Sequence, residues 1–371
     1  MIRRTLKYVG ITVACLLVVV PASALLCRAY LQHAAAEKYA IRSPNGIASL
    51  ERVPIGGIGQ WIQVRGEDVG NPILLWVHGG PGMAFIPLAG AFQRPLEKHF
   101  TVVQWDQRGA GKTYASNDRD LQRTTMNVSR MEQDAVEVVN YLRHRFHRDK
   151  IFVLGHSWGS VLGLWLAHEH PGLIYAYVGV GQLLNLKQNQ AVIYKDALQE
   201  ARSRHNEQAV KELESIAPYP PAGLSVGKDS VVNTWSVELL GPPANGAAFA
   251  DVGRILSDVV SAPEYFLADD FGFVRGVQLS INTFLPQMTN LDLNSLGFEF
   301  RAPIFFFEGR RDPFCRPSLI WDYSRAIQAP RKEFIWFENA GHFPFFEERQ
   351  KFADQLFQRV LPLAASGSGR A

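Results

Sequence analysis

The sequence predicts an α/β protein with a mainly parallel sheet that is covered by helices on both faces. Short, continuously apolar segments recur along the chain, as expected for strands that are buried on both faces. Helical segments separate them, and strands that alternate with helices favour parallel pairing through right-handed crossovers. The chain has 371 residues, of which 47% are apolar and 20% charged, so it can bury a large core.

The first 40 residues predict a membrane segment. From Tyr8 to Cys27 the chain has 20 residues without a charge, enough for a helix to cross a hydrocarbon core of about 30 Å. The preceding Arg3, Arg4 and Lys7 favour a retained anchor that places the rest of the chain outside the cytoplasm, on the periplasmic side in a bacterium. The alternative is a signal peptide that is cleaved near Ala22-Ser23-Ala24, which would leave a secreted or periplasmic protein.

The net charge of +3 comes from this segment, and the remaining chain has 33 basic and 34 acidic residues. A nearly neutral body has no basic surface for nucleic acid, so the lipid bilayer is the one macromolecular partner that we expect. Of the three cysteines only Cys315 lies in the body, where we expect a small buried side chain. We therefore expect no disulfide framework and no cysteine-based zinc site.

The body begins with a predicted hairpin and continues with the alternating pattern. Residues 49–56 and 58–65 alternate apolar and polar side chains around Gly56-Gly57, which is typical of two antiparallel strands. The elements predicted next are strands at Ile73–Val77, Thr101–Trp105, Ile151–Leu154 and Tyr175–Val180, and helices at Met126–Phe146 and Val161–Ala167.

A helical insertion interrupts the strand pattern between residues 183 and 300, with helices predicted at 188–216 and 249–260. Strands resume at 303–308 and 334–337, with helices at 317–327 and 344–361. The expected organisation is a membrane or signal segment (1–40), the first part of a core (41–182), a helical cap (183–300) and the second part of the core (301–371).

The strongest chemical motif is Gly155-His156-Ser157-Trp158-Gly159, which stands between a predicted strand and a predicted helix. A tight strand-to-helix turn lifts the serine hydroxyl above the sheet, and its glycines let neighbouring chain pass closely. Ser157 is therefore the predicted nucleophile. The pentapeptide alone would also suit a structural turn, but its place in the pattern favours catalysis.

A serine nucleophile needs a base and an acid that orients this base. In this strand arrangement they follow in the order Ser, acid, His. Asp312 comes just after the 303–308 strand, and His342 just after the 334–337 strand. Glu308 is the rival acid, although its place at the strand end favours an architectural role.

The tetrahedral intermediate of such chemistry requires hydrogen-bond donors for its negative oxygen. The first candidate is the N–H of Trp158. The second is the N–H of Gly80 in the loop His78–Gly82, where Pro81 cannot donate. This loop lacks the Lys-Ser/Thr ending of a phosphate-binding loop, which argues against ATP binding.

At this point the chain resembles the α/β-hydrolase superfamily, and within it the proline iminopeptidase family of serine aminopeptidases. The motifs that carry the resemblance are HGGPG at 78–82, WDQRGAG at 105–111, GHSWGS at 155–160, GRRD at 309–312 and AGH at 340–342. The resemblance covers about residues 45–365. It implies the α/β-hydrolase fold with a lid, a catalytic triad of Ser157, Asp312 and His342, an oxyanion hole from Gly80 and Trp158, and release of an N-terminal residue, often proline, from peptides.

The cap departs from this family. The family holds the free amino group of its substrate with cap glutamates, and Thr234-Trp235-Ser236-Val237-Glu238 resembles one such segment, so Glu238 and Trp235 are the candidate substrate-binding residues. The second segment resembles residues 275–280, which contain no carboxylate.

Two substrate classes therefore stay open: peptides with a free N-terminus, or esters and amides of small uncharged acyl groups. For the second class, an apolar pocket of Trp235, Phe266, Phe271 and Phe284 is the expectation. A catalytically silent binding module is less consistent with a complete triad, and dehalogenase or epoxide hydrolase chemistry would need a carboxylate at position 157. Neither a cofactor nor a metal is required by this chemistry.

Overall fold

The computed structural model describes residues 2–221, 226–242 and 252–367, and within them the predicted α/β class is confirmed. The described strands form one eight-stranded sheet in the order β1-β2-β4-β3-β5-β6-β7-β8. The strands are β1 (Ile47–Ile55), β2 (Ile58–Gly66), β3 (Ile73–Val77), β4 (Thr101–Asp106), β5 (Ile151–His156), β6 (Ile174–Val180), β7 (Ile304–Gly309) and β8 (Lys332–Phe337).

The predicted hairpin is confirmed. Ile55 pairs with Ile58 across a two-residue turn, in which Gly56 and Gly57 both have positive φ angles of 58° and 78°. A turn of this kind matches the twist of two antiparallel strands, and glycine adopts it without a steric penalty. β2 also pairs antiparallel with β4, whereas all pairings from β4 through β3 to β8 are parallel.

The helices cover both faces of the sheet, as predicted. They are α1 (Ile2–Lys38), α2 (Gly111–Ala115), α3 (Arg119–Thr125), α4 (Val128–Arg145), α5 (Trp158–Glu169), α6 (Leu186–Ser203), α7 (Glu207–Ser215), α8 (Val226–Leu240), α9 (Val252–Ser261), α10 (Leu267–Met288), α11 (Pro317–Ala326), α12 (Pro344–Glu347), α13 (Arg349–Gln355) and α14 (Leu363–Gly367). The apolar sides of α4, α5 and α11 pack on one face. Phe345, Phe352 and a 3₁₀ segment at Ile86–Ala91 pack on the other.

The insertion between β6 and β7 is helical, but its first helix is shorter than predicted. Residues 188–216 do not form one helix, because the chain turns at His205, which has a φ of 54°. Asn206 then caps α7 by accepting a hydrogen bond from the N–H of Ala209 (3.0 Å). The helix predicted at 249–260 corresponds to α9, and its first three residues lie outside the described part of the chain.

Two groups of helices make up this cap. Helices α6, α7 and α8 share a small core of their own, which includes Ile193, Leu213, Val232 and Trp235. Helix α10 packs instead against α2 and the edge of the core, where Gly276 lies directly over Gly109. The cap is thus attached to the core by α9 and α10, and also by α6, whose Asn189 donates to the carbonyl oxygen of Phe314 (2.7 Å).

The N-terminal segment is one long helix, α1. The stretch Cys15–Lys38 contains an 18-residue window with a mean hydropathy of 1.7, none of it buried, so α1 is long and apolar enough to cross a membrane. The last turns of α1 dock on the cap. Arg28 forms an ion pair with Asp270 (2.9 Å), and Gln32 donates a hydrogen bond to the carbonyl oxygen of Ala262 (2.8 Å).

Candidate active site

Ser157 occupies the turn between β5 and α5. Its φ of 54° and ψ of −118° are strained for a residue with a side chain. The turn is held in place because the N–H of Ser157 donates to the carbonyl oxygen of Val180 (3.0 Å) and its carbonyl accepts from the N–H of Ser160 (2.9 Å). This geometry leaves the side chain half-buried at the carboxyl edge of the sheet, where it can meet a ligand.

The loops after β7 and β8 bring Asp312 and His342 together. The Nδ1 atom of His342 lies 2.7 Å from Oδ2 of Asp312, and both side chains are buried. The other oxygen of Asp312 accepts hydrogen bonds from the backbone N–H groups of Phe314 and Cys315, both at 2.8 Å. Because an ionised carboxylate only accepts, the hydrogen of His342 sits on Nδ1, and Nε2 keeps a free lone pair.

The Ser157 hydroxyl lies close enough to the Cys315 thiol to lower the pKa of the thiol, which opposes the effect of burial. Cys315, Asp312 and His342 each have a ligand atom within 4.8 Å of those of the other two. The thiol is therefore part of the site, and burial, reinforced by Asp312 and Glu308, raises its pKa well above the usual value. Sequence reasoning found Cys315 to be buried, but nothing in the chain pattern indicated its contact with Ser157.

The glycine-rich loop after β3 lies against Ser157. A Cβ atom on Gly79 would come within 2.9 Å of the Cβ of Ser157, so only glycine permits this approach. Gly80 has a φ of 119°, which favours glycine, and this conformation sets the direction of its N–H. Trp158 is the first residue of α5, where a backbone N–H has no partner within the helix. Trp158 thus follows the nucleophile candidate directly, and Gly80 follows the glycine that lies against it.

A layer of neutral histidines supports this loop. Burial lowers the pKa of His78 to about 4, and its ring contacts the carbonyl oxygen of Gly79 (2.9 Å). Burial, followed by the charge of His342, lowers the pKa of His156 well below its usual value. The Nε2 atom of His156 lies 2.9 Å from the carbonyl oxygen of His342, so it must carry the hydrogen and donate. His156 thereby positions the backbone of the loop after β8, which carries His342.

Glu308 is fully buried beside Asp312 but contacts a different group. Its Oε1 atom accepts a hydrogen bond from the N–H of Gln182 (3.0 Å), whereas Oε2 has no partner. Burial raises the pKa of Glu308 well above its usual value, and the charge of Asp312 adds to this. A neutral carboxyl group that ties β7 to the chain after β6 fits an architectural role.

The structure does not bring the candidate cap residues into contact with Ser157, Asp312 or His342. Trp235 is buried in the core of α6, α7 and α8, where its Nε1–H donates to Glu212 (2.9 Å). Glu238 is exposed on α8. The end of this helix does approach the site, since a Cβ on Gly341 would lie 2.8 Å from Pro242. Within the segment 275–280, Ser280 donates to the carbonyl oxygen of Gly109 (3.1 Å).

The apolar pocket expected from four aromatic side chains is wrong for three of them, since Trp235 is buried in the core of α6, α7 and α8. Phe266 and Phe271 are 73% and 61% exposed, because the start of α10 lies on the surface. Only Phe284, in the last turns of α10, reaches the site, and its ring is 4.8 Å from that of Trp158.

Two polar clusters escaped the sequence analysis because no local pattern connects their members. In the first, Asp229 accepts a hydrogen bond from the hydroxyl of Tyr219 (2.6 Å). In the second, Asp106 accepts from the hydroxyl of Tyr265 (2.5 Å), and Lys112 pairs with Asp269 (2.6 Å). Burial raises the pKa of Asp106 to about 7, and this second cluster joins the end of β4 to the cap.

Among the described residues, one group of His, Cys, Asp and Glu side chains is close enough to hold a metal ion. It consists of Asp312, Cys315 and His342. The hydrogen bond between His342 and Asp312 already uses the atoms that would face such an ion. The same side chains are therefore better suited to proton transfer.

Comparison with known proteins agrees with this geometry. A family model described as alpha/beta hydrolase fold matches residues 72–349. The chain is 28% identical over 320 residues to the probable aminopeptidase YbaC of Bacillus subtilis, covering 85% of this chain and 97% of that protein. It is 26% identical to the proline iminopeptidase of Heyndrickxia coagulans, covering 76% and 88%. The crystal structure of proline iminopeptidase from Mycobacterium smegmatis superposes with a TM-score of 0.60 at 17% identity, covering 86% and 100%.

Proposed function

Since the chain belongs to the α/β-hydrolase family, we propose that it is a serine hydrolase of the proline iminopeptidase type, in which Ser157, His342 and Asp312 form a catalytic triad. The observation that carries the proposal is the 2.7 Å contact between Nδ1 of His342 and Asp312 at the edge of the sheet where Ser157 is half-buried. Relatives named as aminopeptidases and proline iminopeptidases support the peptidase class.

The proposed reaction starts from a rotation of the Ser157 side chain. Its hydroxyl turns from the neighbouring Cys315 thiol to Nε2 of His342 by rotation about one side-chain torsion. Nε2 accepts the hydroxyl proton while Oγ attacks the carbonyl carbon of the substrate. Asp312 stabilises the resulting imidazolium through Nδ1–H.

The second half of the reaction uses the same groups in reverse. The imidazolium of His342 protonates the leaving amine, which leaves an acyl group on Ser157, and water that is activated by His342 then releases the acid. The N–H groups of Gly80 and Trp158 bind the negative oxygen in both steps. One donor of this kind contributes about 3 to 4 kcal/mol of transition-state stabilisation.

For the substrate we propose a short peptide with a free, preferably prolyl, N-terminus. Glu238 is the carboxylate on α8 that we assign to its ammonium group. Support comes from Pro242, four residues further on, which packs on Gly341 next to His342. Esters or amides of uncharged acyl groups are the second candidate, favoured by the exposure of Glu238 and the absence of a carboxylate from residues 275–280.

We further propose that α1 is a retained membrane anchor with the hydrolase outside the cytoplasm. This rests on the uncharged run Tyr8–Cys27 and on the basic residues that precede it.

Turnover of two chromogenic substrates by the detergent-solubilised full chain tests these proposals. Prolyl p-nitroanilide carries a free amine and p-nitrophenyl butyrate does not, and Ser157→Ala is the matched blank. We expect Ser157-dependent release from the prolyl amide. Ester turnover without amide turnover would establish the second candidate, and equal turnover by Ser157→Ala would refute the triad.

A further inference from the structure

The cap carries a concentrated apolar surface next to α1. Among the described residues outside α1, eleven large hydrophobic side chains are exposed, and seven of them lie between Val252 and Val274. Large apolar side chains that cluster on a surface mark an interaction site more often than scattered ones. Four of the seven form the cap patch, which consists of Phe266, Leu267, Phe271 and Val274.

The residues of the cap patch are spaced so that most of them lie on one face of α10. Leu267, Phe271 and Val274 stand at positions i, i+4 and i+7 of α10, so their side chains share one face of the helix. The inward residues Phe273 and Gly276 of the same helix are buried. A helix with this division presents a flat apolar face, which fits the interfacial layer of a bilayer.

The contacts between α1 and the cap fix the distance of the cap patch from the hydrocarbon core of the membrane. Arg28 is the first charged residue after the uncharged run Tyr8–Cys27, so it must lie where α1 leaves the hydrocarbon core. Its guanidinium donates to the carbonyl oxygen of Tyr265 (3.0 Å) and pairs with Asp270 (2.9 Å). Phe266 of the cap patch directly follows Tyr265, and Phe271 directly follows Asp270, so both contacts of Arg28 lie next to the patch.

We propose that the cap patch is a membrane-docking surface, inserted into the interfacial layer of the bilayer that α1 enters. The proposal rests on α1 being a membrane anchor, and it adds that the hydrolase is held against the lipid rather than suspended above it. Aromatic side chains such as Phe266 and Phe271 favour that layer, and the exposed Arg275 beside Val274 can reach phosphate groups.

Docking in this way orients the active site. Helix α10 runs from the cap patch to Ser280, which bonds Gly109, and to Phe284, which contacts Trp158. The helix is tied to the core on the way, since Lys112 pairs with Asp269 (2.6 Å). A docked cap patch therefore places the oxyanion side of the site at a fixed distance from the membrane, one helix length of about 30 Å or less.

Fluorescence quenching in lipid vesicles tests the proposal. The full chain with Cys15→Ser and Cys27→Ser receives a reporter cysteine by Phe271→Cys, is labelled with a nitrobenzoxadiazole dye, and is reconstituted in phosphatidylcholine–phosphatidylglycerol vesicles. Val274→Cys repeats the measurement at a second position. Phe298→Cys is the matched control, because Phe298 is an aromatic residue that is 47% exposed beside α11, at the other edge of the sheet. A separate chain that keeps Cys15 and carries Cys27→Ser is labelled at Cys15 and reports on the bilayer itself.

We expect shallow doxyl-labelled lipid to quench the dye at positions 271 and 274 by at least half, with a blue-shifted emission, and to leave the dye at 298 unchanged. Quenching at Cys15 alone would overturn the docking while leaving the anchor intact. A blue shift at 271 without quenching would mean that protein covers the patch, which also overturns it. The readout needs no turnover, so it is independent of the proposed hydrolase activity.

Discussion

Replacement of Asp312 by asparagine tests the assignment of the triad most directly. The change keeps the shape of the side chain and removes its charge. One oxygen of Asp312 accepts two backbone N–H groups at 2.8 Å, from Phe314 and Cys315, and the other accepts Nδ1–H of His342 at 2.7 Å. In Asp312→Asn the amide oxygen will keep the two N–H donors, so the NH₂ group will face Nδ1.

This orientation traps His342 in the wrong tautomer. With a donor opposite Nδ1, the ring must carry its hydrogen on Nε2, where it cannot accept the proton of Ser157. The reverse amide orientation would leave two buried N–H groups without an acceptor, at about 1–3 kcal/mol each. The productive form is thus populated about 30- to 10⁴-fold less, and lost stabilisation of the imidazolium adds to this. We expect kcat/KM to fall between about 100-fold and 10⁴-fold.

The effect is measured by steady-state kinetics with prolyl p-nitroanilide and with p-nitrophenyl butyrate. The rate of labelling by a fluorophosphonate gives a second measurement that does not depend on which substrate is preferred. Glu308→Gln is the matched control, since it changes a neighbouring buried carboxyl to an amide. Burial already holds Glu308 neutral by raising its pKa, and glutamine can still accept the N–H of Gln182, so its activity should stay within about threefold. Less than tenfold loss in Asp312→Asn, or equal loss in Glu308→Gln, would refute the reasoning.

Three further outcomes are expected. Gly80→Ala should lower kcat more than tenfold with an unchanged circular dichroism spectrum, because its Cβ would lie 2.7 Å from the nitrogens of Gly82 and Met83 and displace the oxyanion loop. Glu238→Gln should raise KM for prolyl p-nitroanilide by about two- to fivefold, because an exposed ion pair contributes little binding energy. Asp229→Asn, on the same helix, should leave this KM unchanged. A raised KM in Asp229→Asn with an unchanged KM in Glu238→Gln would move the amine site to Asp229. Burial raises the pKa of Asp106 to about 7, so the native state holds the carboxyl proton more tightly than the unfolded chain. The resulting contribution to the free energy of unfolding is complete below about pH 4 and is lost as the pH rises to 7. Thermal unfolding of Asp106→Asn should lack that pH dependence, and a slope equal to wild type would contradict it.

The residues at the strand ends could be predicted because their signals are local. Each of the segments 78–82, 155–159 and 309–312 follows an apolar run directly, and the sheet then gathers the ends of its parallel strands at one edge. The boundaries of the core strands agree with the predictions to within two residues for the same reason. A strand that is buried on both faces leaves a continuous apolar run that is easy to delimit.

The side-chain environments in the cap could not be predicted in the same way, since they depend on residues that are distant in the sequence. Phe266 and Phe284 look alike in the sequence, yet one is exposed near α1 and the other packs on Trp158. Cys315 reaches Ser157 only because the loop after β7 folds around the carboxylate of Asp312. The break at His205 depends on a single positive φ that no strong turn signal announces.

The helices of the cap differ in how freely they can move, and this bears on how a substrate reaches Ser157. Lifting α10 would break the ion pair of Lys112 with Asp269 and the hydrogen bond from Ser280 to Gly109. Helix α6 is tied to the loop after β7 in a similar way, because Asn189 donates to the carbonyl oxygen of Phe314 (2.7 Å) and Asp196 pairs with Arg316 (3.0 Å). Helices α7 and α8 bury their apolar residues mostly against α6 and each other, so they can shift at a smaller cost. We infer that α6, α9 and α10 stay in place, while α8, which carries Glu238, opens and closes the site.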